Sequence, residues 1–309
     1  MTSRMMLIIN PHSGRGLSKT ALGTIVSKLC DADYSVTVYF SHEKTPEELT
    51  REHAEKHDLI VCVGGDGTLS GVISGLLSTN AKIPVGFIPA GTANDVAITL
   101  ALSKDPSIAA KKILEGKPEA IDIGKFLGGE ISNKKRSGGG AYPERYFTYI
   151  AAFGAFTEVS YSTPQSAKRA LGHFAYVLTG LADMAAIKPR RTIVEYDGKT
   201  IEGEFIFGGV TNSTSMAGVV KLNPKRVDLS DGEFEIILVK QPLVLADFFD
   251  ILQSLTVQTY DGDNVNMLHA SSVRFIFEED VPWTVDGEDG GAHKKVEITN
   301  CHKAVEIVV

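Results

Sequence analysis

The apolar and polar positions change texture partway along the chain. Up to about residue 125, short unbroken apolar runs alternate with amphipathic stretches. "MMLIIN", "VTVYF", "DLIVCV" and "PVGFI" are apolar without a two-residue period. That pattern predicts strands buried on both faces. Between them, Leu17, Ala21, Leu22, Ile25, Val26 and Leu29 share one helical face. A second helix starts at "TPEELTREHAEKH", with Thr45 as cap, Pro46 at the first position and Glu48 completing a capping box. "TLSGVISGLLS" reads as a third. Apolar strands separated by such helices predict a doubly wound parallel sheet, and the pattern holds to "EAIDIG" at 119–124.

The second part reads differently. "LGGEISNKKRSGGGAYPER" is a long Gly-rich polar stretch, predicted as a loop between two strands. One substantial helix is expected over "SAKRALGHFAYVLTGLADMAAI". Strand-like runs follow at "RTIVEYDG", "GEFIFGGVTN", "EFEIILVK", "SSVRFIFEE", "PWTVDG", "KKVEIT" and "AVEIVV". Many short strands with turn signals predict an antiparallel sandwich or barrel. The fold class is therefore α/β followed by mostly antiparallel β. The 309 residues suit two domains better than one core.

Composition narrows the function. The net charge of −7 does not favour nucleic acid or an anionic membrane at long range. Cys30, Cys62 and Cys301 are far apart, with neither disulfide nor zinc spacing, which is the usage of a cytoplasmic protein. "HAEKH" is a polar helix face, not a zinc motif. "LVLADFFDILQSLTV" at 243–257 is apolar but interrupted by Asp247 and Asp250, and it is shorter than a bilayer requires. "MMLIIN" is too short for a signal-peptide core.

Three loops carry the chemistry: "NPHSGRG" (10–16), "GGDGT" (64–68) and "PAGTAND" (89–95). Each follows a predicted parallel strand and leads into a helix, so all three fall on one edge, where open α/β sheets bind ligands. Glycines let backbone N–H groups approach a phosphate, and helix N-termini favour its charge. Neither GxxxxGK[ST] nor GxGxxG is present. A single such loop is an ordinary turn; three on one edge favour a ligand. Asp66 and Asp95 would repel phosphate unless Mg²⁺ sits between them. Asp95 also suits a helix-dipole partner. Late in the chain, Asp286 and Glu288 in "WTVDGEDGG" read as a hairpin turn or as a base for a hydroxyl proton.

The first three motifs, in order and spacing, resemble the NPxSGxG, GGDGTxxxVxxGL and GTxNDxA signatures of the diacylglycerol kinase catalytic family. "IDIG", "AKRALGHFAYVLTGL", "LSDGEFEIILV" and "TVDGE" extend the resemblance over essentially the whole chain. It implies an ATP-binding, NAD-kinase-like domain over 1–125, joined by a returning strand at about 300–309, and a β-sandwich lipid-substrate domain over 126–299. It implies nucleotide contacts from Asn10, Ser13, Gly64, Gly65, Asp66, Gly67, Thr68, Gly91, Thr92 and Asn94. Asp66, Asp95 and Asp122 would form a Mg²⁺ and water network, with Asp286 as base and Glu288 beside it. Asp231, with the carbonyls of Asp228 and Phe234, would hold a second, structural Mg²⁺. "TNSTSMAG" stands where the family is usually glycine-rich, which bears on the shape of the lipid mouth.

The resulting expectation is an ATP- and Mg²⁺-dependent lipid kinase that phosphorylates a lipid hydroxyl, converting diacylglycerol to phosphatidic acid. Phosphatidylglycerol, a sphingoid base, or a soluble substrate of the NAD-kinase type are the alternatives, with a non-catalytic nucleotide sensor behind them. Peripheral membrane contact is expected through Lys168, Arg169, Arg15 and Lys19, which equally suit a solvated surface. A homodimer is possible on this reading, and nucleic acid is not a partner.

Overall fold

The computed structural model describes residues 3–13, 19–79, 81–129, 144–155, 187–216 and 220–309. The expected helix over 166–187, apart from its final residue, lies outside the described residues, as does most of the Gly-rich stretch.

The first unit is wound as the apolar pattern predicts. Strands β1 (Ser3–Ile9), β2 (Tyr34–Phe40), β3 (Leu59–Gly64) and β4 (Val85–Pro89) are parallel, in the order β2-β1-β3-β4. Helices α1 (Lys19–Cys30) and α5 (Pro106–Glu115) cover one face. Helices α2 (Pro46–His53) and α3 (Asp66–Leu77) cover the other. Alternate strand residues serve opposite faces: Met5, Leu7 and Ile9 meet α1 and α5, while Met6 and Ile8 meet α2 and α3. That division explains the missing two-residue period. The capping box at Thr45 is present, with Thr45 and Glu48 each bonding the other's backbone N–H. Helix α4 (Asp95–Thr99) is shorter than its apolar run, because Ala101 turns left-handed at φ 51° and the Leu102 N–H closes onto the Ala97 carbonyl.

The second unit is antiparallel. It comprises β5 (Pro118–Gly129), β6 (Arg145–Phe147), β7 (Ile150–Gly154), β8 (Arg190–Tyr196), β9 (Lys199–Thr211), β10 (Ser215–Met216), β11 (Val220–Lys221), β12 (Phe234–Lys240), β13 (Val265–Ala270), β14 (Ser272–Val285) and β15 (Glu288–Val308). Strands β9 and β14 are long and bent: the half of each that pairs β8 is distinct from the half that pairs β7. The enclosed core is aromatic, with the Trp283 ring 5.1 Å from Phe153 and 5.2 Å from Phe275. The apolar stretch at 243–257 is mostly helix α6 (Leu245–Val257).

Strand β15 joins the units. Over 295–301 it pairs with β5 in the sandwich. After a bulge between Cys301 and Val305 it pairs with β5 again, and Ile307 lies beside Val85 of β4, parallel to it. The described strands of both units, apart from β10 and β11, thus form one hydrogen-bonded sheet. Two runs that the sequence separates, "KKVEIT" and "AVEIVV", are one strand, because the bulge breaks the pattern without ending the ladder.

Candidate functional site

Strand order β2-β1-β3-β4 makes β1 and β3 the switch point, the place where an open α/β sheet leaves a crevice. The structure puts the loops there. Asn10, just after β1, donates from Nδ2 to Thr68 Oγ1 in α3 at 3.2 Å. Asn10 Oδ1 accepts from the His12 N–H at 2.9 Å, which shapes the first loop around the buried Ser13. The second and third loops lie back to back. A Cβ on Gly91 would stand 2.5 Å from Gly65 Cα, so position 91 must be glycine for the loops to touch, while a Cβ on Gly65 would sit tightly, 3.2 Å from Gly91 Cα. Asn94 is buried in the left-handed region at φ 56° and closes its own loop, exchanging bonds of 2.9 and 2.8 Å with the Gly91 backbone.

The predicted nucleotide residues therefore divide. Gly67 and Thr92 are exposed, and Gly65 and Gly91 half-buried, open to a ligand. Thr68, Asn94 and Ser13 are buried and hold the loops in shape. Helix α3 begins with Gly65 as cap and no side-chain capping bond, so its first N–H groups face that opening.

Asp66 is buried and accepts from the Val96 N–H at 3.2 Å. Burial raises its carboxyl above the ordinary range; bonds from the Val96 and Asp95 N–H groups oppose this, while the charges of Asp95 and Asp286 add to it. Asp95 is fully buried, and Ser215 Oγ donates to its Oδ1 at 2.5 Å. Ser213 Oγ lies 2.7 Å from Thr99 Oγ1. The "TNSTS" part of the unusual segment thus clamps α4 from the second unit; residues 217–219 lie outside the described residues.

Asp286 reaches the same place from β14. With Gly287 it forms a two-residue hairpin loop in which both φ are positive, 48° and 80°. Its Oδ2 accepts from Thr148 N at 2.7 Å and Thr148 Oγ1 at 2.9 Å; its Oδ1 accepts from Tyr149 N at 3.1 Å and Ile150 N at 3.2 Å. The Ser70 hydroxyl of α3 adds a bond across the junction of the units. Burial nonetheless outweighs these donors and raises the Asp286 carboxyl. Glu288 is exposed on the hairpin, its Oε1 3.8 Å from where a Gly67 Cβ would stand.

Asp122 lies at the β15 bulge. It is fully buried and accepts from four donors: Gly232 N (2.7 Å), Asn300 Nδ2 (3.1 Å), His302 Nδ1 (3.1 Å) and Lys303 N (2.7 Å). No hydrogen bond or ion pair joins it to Asp66 or Asp286; it pins the bulge of β15. Asp231 lies on an exposed turn, its Oδ1 accepting from Glu233 N at 2.9 Å. Beside it, Glu235 is buried, and its carboxyl is pushed up to about 8 by burial and by the charges of Asp231, Asp228 and Glu233. A cavity of about 580 Å³ adjoins this turn, lined in part by Leu100, Asp228 and Asp231; none of the residues around Asp66 belongs to it.

Among the described residues no three His, Cys, Asp or Glu groups form a ready metal shell. Mg²⁺ does not need one, since it takes one or two carboxylates and completes its sphere with phosphate and water oxygens. Asp66, pressed by two neighbouring carboxylates and joined to no ion pair among the described residues, fits that role. The basic residues Arg15, Lys168 and Arg169 lie outside the described residues, as does the side chain of Lys19. Among the described residues no helix is long and apolar enough to cross a membrane.

Sequence reasoning missed Tyr149, Thr148 and Ser70. The first two lie in "RYFTYI", an apolar run with no motif; Ser70 lies within a quoted motif but at a position without evident chemistry.

Glycine loops on a parallel edge, answered by a hairpin carboxylate from a β-sandwich, define a two-part α/β protein of NAD-kinase-like architecture. The diacylglycerol kinase catalytic domain model matches residues 4–126, and the YegS C-terminal NAD kinase beta sandwich-like domain matches 152–308. A diacylglycerol kinase of Bacillus subtilis (strain 168) is 30% identical over 318 residues, covering 99% of this chain and 96% of that protein. One of Staphylococcus aureus (strain Newman) is 33% identical over 297 residues, covering 94% and 88%. The solved structure of a diacylglycerol kinase from Bacillus anthracis str. Sterne superposes with a TM-score of 0.73 at 22% identity, over 99% of this chain and 96% of that one. The chain belongs to the diacylglycerol kinase family.

Proposed function

We propose that this protein transfers the γ-phosphoryl group of ATP to the hydroxyl of diacylglycerol, giving phosphatidic acid and ADP. The supporting observation is the meeting of Asp66 and Asp95, from the first unit, with Asp286 and Glu288, from the second, around one crevice. Family membership over nearly the whole chain supports the same reading.

The residues divide the work. The loops at 10–13, 64–68 and 91–94 cradle the nucleotide phosphates. The exposed backbone of Gly67 and Thr92 and the open end of α3 supply donors. Asp66, with Asp95 beside it, would hold Mg²⁺, which neutralises phosphate charge when bound. The acceptor oxygen forms its bond to the γ-phosphorus as the bond to the β–γ bridging oxygen breaks. The hydroxyl proton passes to Asp286, whose raised carboxyl suits proton acceptance. Glu288, facing Gly67, orients groups at the mouth. Asp231, with the Asp228 and Phe234 carbonyls, would hold a second, structural Mg²⁺; the crowded negative charge around Glu235 supports this. Lys168, Arg169, Arg15 and Lys19 would bring the protein transiently to the bilayer, each basic residue near an anionic surface being worth about 1 kcal/mol.

The test is labelled-phosphate transfer from ATP to diacylglycerol, phosphatidylglycerol, sphingosine, undecaprenol and NAD, with and without Mg²⁺. Transfer to diacylglycerol in mixed micelles is expected. Transfer to NAD alone, without micelles, would overturn the reading.

A further inference from the structure

Tyr149 stands between the two halves of the site, and neither the family motifs nor the roles above use its hydroxyl. Its main chain is clamped on both sides. The N–H donates to Asp286 Oδ1 at 3.1 Å, and the carbonyl accepts from Thr211 Oγ1 at 2.6 Å and Asn212 N at 3.1 Å. The ring is 7% exposed. Its Oη lies over the hairpin, 3.3 Å from where a Gly287 Cβ would stand. The phenol faces Asp286, Asp66, Asp95 and Glu288, carboxylates from both units.

Among the described residues Oη makes no hydrogen bond. The neighbouring Asp286 carboxylate is bonded by Thr148, Tyr149 N, Ile150 and Ser70; the Thr148 and Ser70 hydroxyls among these can rotate away and leave a lone pair for the proton of a substrate hydroxyl. Although the ring is buried, Oη is not among the sealed, unpartnered polar atoms: it keeps access to the crevice, where a donor without a protein partner can bond a bound ligand. We propose that Tyr149 Oη donates a hydrogen bond to the acceptor alcohol's oxygen and so selects a free hydroxyl at the transfer site.

The proposal rests on the lipid-kinase reading and adds a residue to it. An alcohol oxygen has two lone pairs. One attacks the γ-phosphorus while the O–H proton leaves for Asp286; the other can accept from Oη. Burial and the surrounding carboxylates push the phenol above its ordinary range. It therefore remains a donor throughout the neutral range and does not compete as the base. A lipid lacking the hydroxyl leaves Oη unpaired, and a site built around a hydrogen bond rejects such analogues strongly.

The experiment compares wild type with Tyr149→Phe, which keeps the ring and every main-chain bond. Both are assayed against the lipid panel in mixed micelles. Binding of diacylglycerol and of its deoxy analogue is measured beside the kinetics. For Tyr149→Phe, kcat/KM for the lipid should fall by roughly ten- to a hundred-fold. The KM for ATP should stay unchanged, and the ratio to wild type constant across neutral pH. Diacylglycerol binding should weaken while deoxy-analogue binding does not. Activity within twofold of wild type would overturn the proposal, as would equal weakening for both lipids, the mark of lost packing. Wild-type transfer to no lipid at all would overturn the lipid-kinase reading and this proposal with it. Normal wild-type transfer with an unaffected variant removes the proposal alone.

Discussion

Asp66 illustrates how the role proposed for a residue can run against stability. It is buried among carboxylates that repel it, and its raised carboxyl records the strain. Asp66→Asn retains an oxygen for the Val96 N–H and removes the charge. In Mg²⁺-free buffer the variant should melt about 2–4 °C higher, the shift expected for roughly 1 kcal/mol, as calorimetry would show. Its kcat should fall by about 10²–10³, since charge stabilisation at the transferred phosphoryl is lost. Asp286→Asn separates the other role. Turnover should drop by about 10²–10⁴ while ATP binding, followed by titration calorimetry, stays near wild type. Near-normal turnover would remove Asp286 as base. The site was partly legible at this scale. Asp66 stands out in the sequence as a carboxylate among glycines; that it also bonds the first N–H groups of α4 could not be read there. Asp286 could be read as a turn or as a base, and its positive φ shows that it forms the turn. Tyr149 was illegible, because one tyrosine in an apolar run gives no pattern, and only folding brings it to the carboxylates. The motif resemblance places Asp122 in a Mg²⁺ and water network with Asp66; in the protein its carboxylate accepts from four donors at the β15 bulge.

At the scale of elements, the doubly wound half could be read from apolar runs, because strands covered on both faces lose their alternation and capping residues mark helix starts. The second half was harder. Its strands were visible, but the pairing of β9 and β14 with two partners each depends on bends that no local pattern encodes. Packing of the glycine loops offers a direct check. Gly91→Ala places a methyl 2.5 Å from Gly65 Cα, and backbone cannot swing aside as a side chain can. The expected cost is about 1–3 kcal/mol of stability by denaturant titration. A marked loss of ATP affinity should accompany it, as both loops shift. A control, Gly198→Ala, lies in a turn at φ 72° far along the chain, with open space around it. It should cost stability through its backbone without touching nucleotide affinity.

For the whole molecule, the last strand matters most. Residues 305–308 pair with β5, and Ile307 lies against β4 of the first unit. Removing residues 304–309 exposes the edge of β4 and opens the core around Ile307 and Val305, both buried. The truncated chain should lose ATP binding and aggregate, measured by titration and light scattering, although no nucleotide-loop residue is deleted. A monodisperse truncation with wild-type ATP affinity would show that the nucleotide unit needs no strand from beyond the sandwich.

The bulge in β15 has a mechanical consequence. One strand runs as a common spar through both units, so they cannot part like jaws on a slack tether. The ladder to β5 is broken only around residues 302–304, where Lys303 takes a left-handed φ of 49° and the Asp122 carboxylate is bonded by His302 and the Lys303 N–H. Closure over a substrate would have to be a torsion at that joint. The buried Asp122 carboxylate, bonded to Gly232, Asn300, His302 and Lys303, then acts as the bearing of that joint.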